Sequence, residues 1–196
     1  MARIYVHAGV IGEPLSDRHV SMGTVADVTP DSRVGWMTAG YRSWSGSARA
    51  MALAVDAAVS AAQSGDAAAF TDATASLGRV DREQLAALLG AITRDLLERS
   101  HPNGLDSEDA EQVLQSCIRS AAPWYEAVDS DALVGALAGA LGISDPDEPP
   151  RPDGTAVVTH GLLLIADQLK ILAQGLPPIL DGALHELMRA QTVEFP

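Results

Sequence analysis

The sequence predicts a mainly α-helical protein, a compact bundle of about six or seven helices carrying an extended or short β-hairpin N-terminal segment. Three observations predict it. From residue 48 onward, apolar residues recur at helical spacing. Most of these stretches open on an aspartate placed to cap them and stop at Gly or Pro. Residues 1–47 lack that period and are rich in Gly, Pro, Ser and Thr. The chain therefore divides into an extended or irregular segment, 1–47, and a helical bundle domain, 48–196.

In the N-terminal segment, Ile4 and Val6 alternate with Arg3, Tyr5 and His7, a short strand pattern. A second extended stretch runs from His19 to Val28 and stops near Pro30. The two either pair as a hairpin or form an irregular arm, because Gly9, Gly12 and Pro14 break the pattern early. The helical part starts with Arg49–Gln63, which sets Met51, Val55, Ala58, Val59 and Ala62 on one face and ends at Ser64-Gly65. Asp66 caps a short helix aligning Phe70, Ala73, Thr74 and Leu77, with Gly78 as its stop. Asp81 caps a helix reaching Arg99, with Gln84 at the capping-box position and Leu85, Leu88, Leu89, Ile92 and Leu96 as the buried stripe.

The turn His101-Pro102-Asn103-Gly104 separates it from a helix opened by Asp106 and closed by Pro123. Asp109 stands at the third helical position there, and Glu108 suits the positive end of the dipole. Asp129 caps the next helix, with Leu133, Val134, Leu137 and Leu141 inward. Its small residues Gly135, Ala136, Gly139 and Ala140 admit a close neighbour. Ser144–Pro152 is a Pro- and Asp-rich loop. Thr155–Gln174 is apolar on most sides, which marks it as the central helix. After Gly175-Leu176-Pro177-Pro178, a last helix turns Ile179, Leu180, Ala183, Leu184, Leu187 and Met188 inward. No internal repeat is present; the shared Asp starts reflect capping chemistry.

Composition narrows the function by exclusion. The 196 residues carry a formal net charge of −13. Nucleic-acid affinity rests on Lys and Arg neutralising phosphates, so this chain is a poor nucleic-acid binder. The same repulsion disfavours anionic membranes. The most apolar stretch, Gly161–Leu180, is interrupted by Asp167, Gln168, Lys170 and Gln174, so no segment reads as a membrane span. One cysteine, Cys117, forms no internal disulfide, and its neighbours Val113, Leu114 and Ile118 place it on an apolar helix face. The start Met1–His7 lacks the apolar run of a signal peptide. The expected compartment is reducing and cytoplasmic.

Motifs of catalysis are missing. The sequence holds no phosphate-binding loop and no nucleophile elbow. His185-Glu186 lacks the second histidine of a zinc-protease helix, and no calcium loop is complete. No cofactor is expected. Two helical arrangements carry the remaining polar chemistry. His160 and Asp167 share a face two turns apart, and Asp181, His185 and Arg189 form a ladder at four-residue spacing. If the last two helices pack as a hairpin, His160 and His185 meet, with Asp167 or Asp181 as metal-binding or acid–base partners.

Trp36, Tyr41 and Trp44 either anchor the N-terminal segment to the bundle or form a partner-contact surface. Trp124 and Tyr125 pose the same choice. Trp44-Ser45-Gly46 resembles the Trp-x-Gly turn of small secreted helical-hairpin proteins, and Tyr125 to Asp129 has the spacing of their export signal. That family needs a long helix before the Trp, which the breakers in residues 9–40 forbid, and its tyrosine signal follows a final helix. The chain is not placed in it. The leading expectation is a non-enzymatic acidic helical protein working through protein–protein contact or self-association, as adaptor, assembly component or regulator. The alternatives are a small-molecule-binding helical domain, and an enzyme or metal site using His160 and His185.

Overall fold

The computed structural model describes residue 44, residues 46–143 and residues 153–193, with side chains through Ala190. Seven helices follow in order among the described residues: α1 Gly46–Ser64, α2 Ala67–Leu77, α3 Arg82–Ser100, α4 Ser107–Ala121, α5 Ser130–Leu141, α6 Gly154–Ile171 and α7 Leu176–Val193. The mainly helical class expected from the sequence is what the chain adopts. The proposed hairpin, and with it Trp36 and Tyr41, lies outside the described residues. Trp44, assigned above to the N-terminal segment, is packed on the bundle just before α1.

Local chemistry sets the helix starts. The Asp66 carboxylate accepts from the Ala69 N–H at 3.0 Å, and that of Asp81 from the Gln84 N–H at 2.8 Å. Asp129 accepts from the N–H groups of Asp131 and Ala132 at 2.9 and 3.2 Å. The reciprocal capping box forms in α4, where Asp106 and Asp109 each accept from the other's backbone N–H. In α3 only the Asp81 half is made. Each such cap stabilises its helix by about 1 kcal/mol.

Helix α6 is the centre. Every residue from Thr159 to Leu169 is buried, and the helix packs against α1, α3, α4 and α5. Full burial of side chains such as Leu162, Leu164 and Ile165 stabilises the fold by about 1.5–3 kcal/mol each. Helices α1 and α2 form one hairpin, and α7 packs on α3 and α1. The small-residue face of α5 meets α3 at Gly90, where an added Cβ would lie 3.8 Å from the Ala140 Cα. Arg94 then donates from Nε and Nη2 to the Ala140 carbonyl at 3.0 and 2.7 Å, a cation at the negative end of α5.

Three expectations need correction. Val134 was assigned inward but is 44% exposed, because α5 turns Leu133, Leu137 and Ala140 to the core and Val134 falls one step round the helix. Met188 was assigned inward but is 48% exposed; α7 buries Leu180 and Leu184, and Met188, Arg189 and Ala190 face solvent. The central helix stops at Ile171 and not at Gln174. Ala173 takes φ 51°, and the Gln174 N–H reaches back to the Leu169 carbonyl at 3.0 Å, closing the helix with a left-handed residue.

Candidate binding cleft

His160 and His185, singled out from sequence, do not meet. His160 is buried, and both its ring nitrogens are engaged. The Asp129 N–H donates to its Nε2 at 2.8 Å, and its Nδ1 lies 2.7 Å from the Ala156 carbonyl. A backbone N–H can only donate and a carbonyl can only accept, so the ring is the neutral tautomer carrying its proton on Nδ1. It ties the first turn of α6 to the start of α5 and offers no free lone pair to a metal. Its aromatic neighbour is Tyr125, at 6.4 Å between ring centroids.

His185 belongs to a different neighbourhood. Its Nδ1 lies 2.8 Å from the Asp181 carbonyl and 3.6 Å from the Asp181 carboxylate. The Trp44 indole N–H donates to the Asp181 carboxylate at 2.9 Å, and the Trp44 ring meets His185 edge-on at 4.6 Å. Trp44 is therefore pinned to α7 by a hydrogen bond and a ring contact. Among the described residues no hydrogen bond, ion pair or ring contact joins His160 to His185, and no group of three or more His, Cys, Asp or Glu stands close enough to hold a metal. No helix of the described residues is long and apolar enough to cross a membrane.

Asp167 is the residue that sequence undervalued. It lies on α6 and lines a cleft of about 230 Å³ with the C-terminal end of α1 and the last turn of α4. Ala62, Ser64 and Gly65 come from the end of α1 and the residue after it, Cys117, Ser120 and Trp124 from α4 and the turn that follows it, and Leu163, Asp167 and Lys170 from α6. The sequence places them there for local reasons. Gly65 ends α1 at φ 70°, a conformation that favours glycine, and so directs the chain over the Trp124 ring. Trp124 is fixed by its indole N–H, which donates to the Ser120 carbonyl at 3.0 Å, and by an edge-on contact with Phe70 at 5.5 Å.

Asp167 is only 6% exposed, and its Oδ2 is buried without a hydrogen-bond partner. Buried carboxylates are normally paired or fully hydrogen-bonded, so an open oxygen marks this position as unusual. A signal for it existed in the sequence: an acid that follows directly on Leu162-Leu163-Leu164-Ile165-Ala166 and stays in the buried stretch has no reason to be there as packing. A second, larger hollow of about 310 Å³ lies between α3 and α7. Two of its charged groups are paired with each other, Arg99 with Asp95 at 2.9 Å, and Arg94 is turned to the end of α5.

Cys117 also lines the cleft, where burial disfavours its thiolate form. Burial, and secondarily the Asp167 charge, push its thiol up to about 12. The thiolate fraction at pH 8 is then on the order of one in ten thousand and grows tenfold per pH unit. Alkylation of the folded protein by iodoacetamide, followed by mass spectrometry, should be negligible at pH 8 and accelerate as pH rises, whereas the denatured chain labels readily. Rapid labelling of the folded protein at pH 8 would contradict this.

Comparison with protein-family models, with curated proteins and with solved structures finds no match for this chain. The site must therefore be interpreted from its own geometry.

Proposed function

We propose that this chain is a non-enzymatic helical protein acting through protein–protein contact, an adaptor, assembly component or regulator, with residues 1–43 as its contact segment. The observation that carries the proposal is the Trp44 anchor. Trp44 is held on α7 through Asp181 and His185, so the residue that follows the 1–43 segment has a fixed place on the bundle. That segment, whether hairpin or extended, contributes Trp36 and Tyr41, residue types that dominate binding energy at interfaces. The net charge of −13 disfavours a nucleic-acid partner, and the lone cysteine fits the cytoplasm.

Removing residues 1–43 while keeping Trp44 tests the proposal. Native mass spectrometry should show loss of self-association or of a co-purifying partner, with the far-ultraviolet circular dichroism of the bundle retained. Association identical to that of the full chain would refute the contact role. A specific observation, the open carboxylate of Asp167, favours small-molecule binding as a second activity.

A further inference from the structure

We propose that the cleft between α1, α4 and α6 binds a small organic cation, an amine or guanidinium whose N–H groups meet the Asp167 carboxylate while its carbon skeleton lies against Trp124 and Leu163. This site goes beyond the contact role and does not depend on it. Four observations converge on it. The first is the Asp167 carboxylate, which lines the cleft, is more than nine-tenths buried and has an Oδ2 without a hydrogen-bond partner. A cationic N–H donor is the partner that forms the strongest hydrogen bond with such an oxygen.

The second is that the protein's own nearby cation does not take this place. Lys170 stands three residues along α6 at the rim and is exposed. Among the described residues no ion pair is found for Asp167. The third is the character of the wall. Ala62, Ala121, Leu163, Ala166 and the Trp124 ring are apolar, and the Trp124 N–H is already engaged with Ser120, leaving the ring for an apolar or cation–π contact. The fourth is size and donor set. A cleft of about 230 Å³ holds the equivalent of roughly eight waters, the scale of a small amine. One carboxylate without two further ligating side chains does not make a metal site.

Calorimetric titration of the full chain with phenethylammonium and with its uncharged counterpart 2-phenylethanol decides the matter. The wild type should bind the ammonium at least about tenfold more tightly than the alcohol. Asp167→Asn keeps the shape and removes the charge, so the preference should fall to about one. This variant relieves an unpaired buried carboxylate, and its thermal melt verifies that it is folded. Asp72→Asn, which removes one exposed negative charge outside the cleft, should leave ammonium binding unchanged. Equal affinity for the two probes in the wild type, no binding of either, a preference that survives Asp167→Asn, or an equal loss of preference in Asp72→Asn would each overturn the proposal.

Discussion

Replacing Leu88 by Asp should unfold the bundle. Leu88 lies in the middle of α3 and is fully buried. Truncating a buried leucine to alanine alone costs about 2–5 kcal/mol. A carboxylate at the same point adds several kcal/mol, because it is taken out of water with no partner. Together these reach the whole stability of an ordinary domain, about 5–15 kcal/mol. The same substitution at Leu53, 40% exposed on α1, is the matched control and should cost under about 1 kcal/mol. Thermal melts followed by circular dichroism compare the two. A cooperative transition for Leu88→Asp within a few degrees of the wild type would show that α3 does not present that face to the core.

The contrast between these leucines shows why most of the fold was legible. Asp66, Asp81, Asp106 and Asp129 cap their own helices through local hydrogen bonds, so their effect is written within four residues of sequence. The α3 stripe at Leu85, Leu88, Leu89, Ile92 and Leu96 is likewise a matter of helical period. Legibility failed where neighbours decide. Val134 sits within the apolar period of α5, yet only the position of α3 and α6 determines which part of that wide face is covered. The end of α6 failed for a different reason: Ala173 adopts a left-handed conformation that alanine tolerates at a cost of about 1–2 kcal/mol, so no glycine marks the stop.

The candidate site was less legible still, because its parts come from three helices. Spacing along α6 correctly put His160 and Asp167 on a common stripe, but it could not say that α4 and α1 would enclose only the second of them. Nor could it show that Trp124 would be locked by Phe70 and its own helix, or that Trp44 would find Asp181, 137 positions away. What sequence did contain was an acid, Asp167, directly after the apolar run Leu162–Ala166. Its Oδ2 lacks a hydrogen-bond partner, whereas both ring nitrogens of His160 are satisfied by backbone groups.

His160→Ala makes that difference measurable, and it should lower stability without changing any metal content. The substitution removes the acceptor of the Asp129 N–H, the group at the very start of α5. A backbone donor left unsatisfied in a partly buried position costs about 1–3 kcal/mol. It also removes a ring that is 2% exposed and packs beside Tyr125, leaving a void whose lining loses its contacts. The combined loss is about 3–4 kcal/mol, which lowers Tm by roughly 10 °C for a domain of this size. The matching change at His185, whose side chain is 63% exposed, should have a much smaller effect. Melting curves and elemental analysis of the two variants separate the interpretations. Unaltered stability in His160→Ala, or stoichiometric metal in the wild type that the substitution abolishes, would return His160 to the role of a ligand. A large loss of stability with metal content unchanged assigns it to joining α6 and α5, and leaves Asp167 Oδ2, with Gln168 Nε2, as the buried polar atoms that lack a hydrogen-bond partner among the described residues.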